Sequence, residues 1–290
     1  MSRFGQIREV LSDIKLAHSV FALPFAFIGL VVGTRGQLPD AWLLAKVLVA
    51  MVLARSAAMG WNRLADRRID ATNPRTSGRA LPSGRVSTGT MTGFVVVTSA
   101  GFVAVAASIN PLCLWLSPLV LAVLFVYSLS KRFTDLAHLF VGLALALSPP
   151  AAYVAARGAV EADVQPILWL GLAVLCWVAG FDIIYSCQDI EHDRRERLHS
   201  LPSRLGAGRA LWVARGLHLL MLIALALTVS GAGLGALSWV AVGLVAVLLA
   251  VEHRIINPTD LSRVNAAFFT VNGVVSVFFG ALVVTDLLSQ

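Results

Sequence analysis

Nine apolar runs, each about 18 residues or longer, dominate this sequence at roughly 16–35, 41–61, 90–109, 111–129, 136–156, 166–186, 209–230, 232–251 and 264–285. A helix needs about 20 apolar residues to cross the hydrocarbon core of a bilayer. Within that core a helix satisfies its own backbone N–H and C=O groups, so such runs are read as spanning helices. Their length predicts an all-α membrane protein with nine transmembrane helices. Only Asn110-Pro111 separates the third and fourth runs, which are therefore expected to form a tight hairpin. Composition agrees: 58% of the residues are hydrophobic and 13% charged, against about half and a quarter in soluble domains. The chain is read as one polytopic domain, 1–290.

The formal net charge of +7 could point to nucleic acid, but its distribution points to a membrane. Of 23 Lys and Arg, 18 lie in the leader and the alternate loops that follow runs 2, 4, 6 and 8. Only Arg35 and Arg157 lie on the opposite side, and Lys46, Arg55 and Arg215 fall inside runs. Positively charged loops stay in the cytoplasm. The reading is therefore a multi-pass protein of the cell (inner) membrane, with N-terminus and charged loops cytoplasmic and C-terminus outside. No nucleic-acid partner is needed to explain the charge, and no obligatory protein partner is implied. No A-x-A-like site ends the first run, so no cleaved signal peptide is expected. Cys113, Cys176 and Cys187 lack metal-ligand spacing and are expected to be free thiols.

The cytoplasmic loops after runs 2 and 6 are long, and long loops in compact proteins are commonly functional. A weak repeat marks the same two places. Asn62, Asp66 and Asp70 follow one another at spacing four, as do Tyr185, Asp189 and Asp193, and each set precedes a Leu-Pro-Ser. Four helices separate the copies, which predicts two parallel, pseudo-repeated four-helix halves plus a ninth helix.

Residues four apart share a helix face. Asn62, Asp66 and Asp70 would thus form one stripe of oxygen-bearing side chains, and Asp182 would join Tyr185, Asp189 and Asp193 one turn deeper. Mg²⁺ prefers such oxygen ligands, taking one or two carboxylates together with phosphate oxygens and water. Metal ions would also relieve the repulsion among clustered carboxylates. The competing reading is a solvated helix end with Asp–Arg pairs at spacing four; its occurrence twice, after equivalent helices, favours the metal.

After the first motif, Arg75 and Arg79 are candidates to hold phosphate oxygens, since guanidinium meets phosphate bidentately. Lys131 and Arg132 end the fourth run on the same side. The competing reading is ordinary cytoplasmic loop cations for Arg75 and Arg79, where phosphate binding is favoured, and ordinary interfacial anchors for Lys131 and Arg132, where the two readings stand level. Arg55 lies inside a run, seven residues before Asn62. A charge placed there usually faces a partner or a wet cavity. It is read either as the anchor for an acceptor carboxylate or as the partner of a motif aspartate. Asn272, Asn265 and His18 are weaker candidates, because polar groups in membrane helices often only bond neighbouring helices.

These residues resemble the UbiA superfamily of intramembrane prenyltransferases. The likeness rests on Asn62-x3-Asp66-x3-Asp70, the Arg79-x-Leu81-Pro82-Ser83-Gly84 turn, Tyr127-Ser128-x2-Lys131-Arg132, and Asp182-x2-Tyr185-x3-Asp189-x3-Asp193. Ala80 departs from it, since many relatives carry Pro after the Arg. The segment His18-Ser-Val-Phe21-Ala-Leu-Pro24-Phe25-Ala is similar to 4-hydroxybenzoate polyprenyltransferase-like members, some of which act on a dihydroxynaphthoate in menaquinone synthesis.

The resemblance implies nine helices and transfer of a polyprenyl group from its diphosphate to a small aromatic acceptor, 4-hydroxybenzoate or a hydroxynaphthoate. It makes Mg²⁺ the cofactor, assists departure of the diphosphate, and leaves an allylic cation to be attacked by a ring carbon ortho to a phenol. Asn62, Asp66, Asp70, Asp182, Asp189 and Asp193 would then serve the metal. Arg55, Arg75, Arg79, Lys131, Arg132, Tyr185 and Asn272 would contact substrates, and Asp66, Asp189 and Arg55 would carry catalysis. Lipid, haem or chlorophyll prenyl transfer are the rival reactions. A transporter with a carboxylate relay is the rival outside enzymes, although relay acids sit near the midplane rather than at helix ends.

Overall fold

The computed structural model describes residues 3–14, 22–258, 260–261, 263–264 and 270–290. Lys15, His18 and Asn265 lie outside the described residues. Every regular element is helical, and among the described residues there is no strand. Among the described residues, eight helical stretches are long and apolar enough to cross a membrane. The first run appears as an 11-residue helix, Leu23–Gly33, and residues 16–21 of that run are outside the described part.

The chain falls into two units, each described by itself. The first, Met1–Ser19 with Leu44–Leu129, contains α1 (Arg3–Asp13), most of α3 (Ala41–Thr72), α4 (Thr88–Ile109) and α5 (Pro111–Leu129). As the sequence predicts, only Asn110 separates α4 from α5; its side chain accepts the Cys113 N–H at 2.8 Å and so opens the second helix. The leader is itself a helix. Its buried Val10, with Ile14 just beyond, packs against Ala80, Leu81, Val86 and Met91. The Gln6 side-chain oxygen accepts from Ser87 N at 3.1 Å and from Thr90 Oγ1 at 2.7 Å, at the start of α4. Ala80, the departure from the resemblance, is fully buried in that cluster, where its methyl group packs rather than stiffens a turn.

The second unit, Val20–Leu43 with Ser130–Gln290, holds α2 (Leu23–Gly33), α6 (Ala137–Ala146), α7 (Ser148–Arg157), α8 (Gln165–Ser186), α9 (Ile190–Arg195), α10 (Leu201–Leu205), α11 (Ala207–Gly231), α12 (Ala236–Ile255) and α13 (Asn272–Ser289). The run over 136–156 breaks into α6 and α7 at Leu147, just ahead of Pro149 and Pro150, which cannot donate backbone hydrogen bonds. Most of α8 is buried, with α6 and α11 packed on it. A Cβ at Gly142 would lie 2.5 Å from the Leu175 carbonyl oxygen, so α6 and α8 touch backbone to backbone, as small residues permit in membrane bundles.

Buried polar contacts tie the remaining helices. Trp177 Nε1 donates to Asn272 Oδ1 at 2.7 Å and Asn272 Nδ2 donates to Glu252 Oε1 at 3.2 Å. Near the start of α12, Ser238 donates to Asp286 Oδ2 through its backbone N–H at 3.1 Å and its hydroxyl at 2.6 Å. A carboxylate from α13 thereby meets the positive end of the α12 dipole.

Candidate active site

In the first unit α3 runs unbroken to Thr72, about three turns beyond the apolar run, so Asn62, Asp66 and Asp70 do share one helical face. The solvated-end reading accounts for little here. Asp70 is buried and accepts from Arg79 Nη1 at 2.8 and 2.7 Å. Asp66 is half-buried and accepts from Asn62 Nδ2 at 3.0 Å. The exposed Arg67 and Arg68 take no part in either contact.

The loop after α3 is shaped by its own backbone. Asn73 Oδ1 accepts the Arg75 N–H at 2.9 Å, Thr76 Oγ1 donates to the Asp70 carbonyl at 3.1 Å, and Arg85 donates to Gly78 O at 3.0 Å. Gly84 has φ +74°, a left-handed turn position that suits glycine. These bonds fold the segment back so that Arg79 reaches Asp70, while the Arg75 side chain is exposed. Deeper on α3, the Nε of half-buried Arg55 is enclosed without a hydrogen-bond partner among the described residues. Its electrostatic neighbours are Tyr127 and Arg63 rather than a motif aspartate.

In the second unit the motif departs from the expected single stripe. The α-helix stops at Ser186, a 3-10 turn covers Cys187–Asp189, and Asp193 sits on the short α9. The cause is local: the Cys187 N–H bonds to Ile184 O three residues back, which tightens the last turn. Equal spacing in sequence therefore gives unequal local structure. Asp182 pairs with His138, Nδ1 to Oδ2, at 2.6 Å, and the His138 ring is fully buried. Asp189 is buried, and Tyr185 is half-buried on the last turn of α8. Asp193 accepts from the Ser200 hydroxyl at 2.8 Å, and Ser200 with Ser203 forms a capping box at the start of α10.

The half-buried Lys131 and exposed Arg132 lie in a 3-10 turn, and the Lys131 carbonyl accepts the His199 N–H at 2.7 Å. Nearby, Arg204 pairs with Asp135, and their hydrogen bond holds that carboxyl below the usual range. Asn272 is buried, with both amide atoms bonded inside the bundle, the arrangement expected of a helix-packing polar residue.

Among the described residues no three His, Cys, Asp or Glu side chains converge as a ready-made cation site. Four of the motif aspartates instead have a polar side-chain contact apiece in separate places: Asp66 with Asn62, Asp70 with Arg79, Asp182 with His138 and Asp193 with Ser200. Carboxylate and amide oxygens are nonetheless the chemistry that a hard ion such as Mg²⁺ requires. Sequence reasoning missed a partner in each unit: Asp13, which accepts from Arg63 in the first, and His138, which meets Asp182 in the second. His138 was signalled only as a histidine at the edge of an apolar run, and Asp13 lies in the leader with no motif around it.

A family model described as the UbiA prenyltransferase family matches residues 22–274. The chain belongs to the UbiA prenyltransferase family. It is accordingly read as an enzyme of prenyl transfer embedded in a membrane, and the transporter reading falls away. A 4-hydroxybenzoate octaprenyltransferase from Aeromonas hydrophila subsp. hydrophila is 30% identical over 251 residues, 86% of each chain. The enzyme of the same name from Shewanella woodyi is 32% identical over 166 residues, so this chain spans 57% of its length.

Among solved structures, a UbiA homologue from Aeropyrum pernix K1 superposes with a TM-score of 0.85 at 34% identity, over 94% of this chain and 98% of that one. A UbiA homologue from Archaeoglobus fulgidus bound to GPP and Mg²⁺ shares the fold, with a TM-score of 0.75 at 22% identity over 97% of this chain and 100% of that one.

Proposed function

We propose that this UbiA-family chain transfers a polyprenyl group from its diphosphate to a 4-hydroxybenzoate-like or hydroxynaphthoate acceptor, with Mg²⁺, in quinone biosynthesis. The observation that carries the aromatic-acid reading is Arg55: a guanidinium within a membrane-spanning helix, partly enclosed and without a carboxylate partner among the described residues. Such a charge is costly to keep, and a carboxylate on the acceptor would offset that cost. The names of the Aeromonas and Shewanella relatives support the same acceptor class.

Asp66, Asp70, Asp182, Asp189 and Asp193 are the proposed metal-bearing side chains, with Asn62 beside Asp66. Mg²⁺, when bound, would neutralise the charge that develops on the departing diphosphate. Arg79, which reaches Asp70, and Arg75, Lys131 and Arg132 are proposed to bind phosphate oxygens. Tyr185, on the last turn of α8, is proposed as a substrate contact. The apolar helices exclude water, which would otherwise capture the allylic cation as an alcohol.

The test is transfer from a labelled polyprenyl diphosphate in membranes carrying this chain, with each acceptor in turn. Product should form with a carboxylated phenol or naphthol and should vanish in excess EDTA, then return with added Mg²⁺ or Mn²⁺. Undiminished turnover in EDTA would overturn the metal reading, and transfer only to a lipid or porphyrin acceptor would overturn the aromatic one.

We also propose that both Asp-rich loops face the cytoplasm, on the strength of the 18-to-2 division of loop cations. Cysteines introduced at Ser83 and Ser203 should resist an impermeant thiol reagent in intact cells and react in inverted vesicles. Efficient labelling in intact cells would reverse the orientation.

A further inference from the structure

Arg63 enters the charge count as a loop cation, yet it is only 5% exposed. A guanidinium buried to that degree needs partners for its charge and its donors. One partner comes from outside the segment that matches the family, 22–274. Asp13, the last residue of α1, accepts from Arg63 Nε at 2.9 Å through Oδ2, and its backbone carbonyl accepts from Nη2 at 3.4 Å. The third guanidinium nitrogen, Nη1, donates to Asn62 Oδ1 at 3.1 Å.

That contact decides which way the Asn62 amide points. Arginine has donors and no acceptor, so the amide atom facing Arg63 must be oxygen. The NH₂ group is then turned to Asp66, where Nδ2 donates to Oδ2 at 3.0 Å. A flipped amide would set donor against donor at one end and oxygen against carboxylate at the other. Asp13, Arg63, Asn62 and Asp66 thus form one directional chain, in which each member fixes the orientation of the next.

We infer that Asp13 and Arg63 are positioning residues for Asp66: they orient the Asn62 amide so that its NH₂ group, and not its oxygen, meets the Asp66 carboxylate and holds it in place. This rests on the reading of Asp66 as a ligand of Mg²⁺–diphosphate. It gives the N-terminal helix a role in the chemistry of the site as well as in packing. It also makes Asn62 an orienting group whose oxygen is already engaged. The helix has an independent attachment, since Arg85 Nε donates to Glu9 Oε2 at 2.9 Å. Asp13 can therefore be changed without detaching α1.

The experiment measures Mn²⁺ affinity by electron paramagnetic resonance, on the full-length detergent-solubilised chain with saturating inorganic diphosphate. Loss of an outer partner of a metal ligand commonly weakens metal binding by 10-fold or more, so Asp13→Ala should lower Mn²⁺ affinity about tenfold. Asp13→Asn keeps an acceptor for Arg63 Nε and should recover part of that loss. Arg63→Lys cannot reach both partners from a single ammonium and should weaken binding as well. The double variant Asp13→Ala/Arg63→Lys should be no worse than Arg63→Lys alone, because the two act in series.

Glu9→Gln removes the charge from a second attachment of α1, the Arg85 pair, and should leave Mn²⁺ affinity unchanged. Wild-type affinity in Asp13→Ala, or an equal loss in Glu9→Gln, would overturn the inference. Asp66→Ala separates the two levels. If it weakens Mn²⁺ binding while Asp13→Ala does not, only the positioning chain fails; if it leaves binding intact, the assignment of Asp66 fails and the positioning chain with it.

Discussion

Asp66→Ala will reduce prenyl transfer by about three orders of magnitude or more with every acceptor, because several kcal/mol of charge stabilisation at the leaving group would depend on the metal proposed to bind there. Asp66 is suited to that role by placement. It is half-buried on the extension of α3 beyond its apolar run, and one of its oxygens is held by Asn62. A side chain held in this way loses little rotamer freedom when a cation binds. Asp66→Asn keeps the shape and removes the charge, so it should fall in the same direction. The measurement is single-turnover transfer with two acceptors of different chemistry, at saturating donor and Mg²⁺. A loss confined to one acceptor, or activity within tenfold of wild type, would remove Asp66 from the diphosphate site.

Arg55→Ala should have the second largest effect, and of a different kind. Arg55 lies seven residues before Asn62, about 10 Å deeper along the helix by its rise. That distance is too great for it to share the innermost metal ligand. If it anchors an acceptor carboxylate, its loss removes one partner of a desolvated charge pair, worth about 2–5 kcal/mol. The acceptor KM should then rise about 30-fold or more, with the donor KM changed far less. An acceptor lacking the carboxylate should be almost indifferent to the substitution. If the donor constant rises and the acceptor constant does not, Arg55 belongs to the diphosphate site and the aromatic-acid reading loses its principal residue.

The Nε of Arg55 is enclosed without a hydrogen-bond partner among the described residues. A cation inside an apolar run is visible in sequence, but whether it pairs with a neighbour or awaits a ligand depends on side chains brought in from other helices. Tyr127, from α5, is its electrostatic neighbour together with Arg63. The charge alternation between loops could not foretell that either.

Run length and spacing by themselves determined that the chain is helical and crosses a membrane, and they singled out the two Asp-rich segments at the helix ends. Both signals are local: bilayer thickness dictates the length of a span, and helix geometry dictates that residues four apart share a face. The i,i+4 rule held for Asn62, Asp66 and Asp70 because α3 continues as an α-helix to Thr72. It failed for Asp189 and Asp193 because a 3-10 turn intervenes after Ser186, a choice between i−3 and i−4 hydrogen bonds that is too finely balanced for spacing to reveal.

Tertiary structure alone decided the partners. His138 meets Asp182 across 44 residues of chain, Asp13 meets Arg63 across 50, and Trp177 meets Asn272 across 95. No periodicity encodes such contacts. They follow from the need of each buried polar group for a partner where water is excluded, and only the packing of helices determines which group stands within reach.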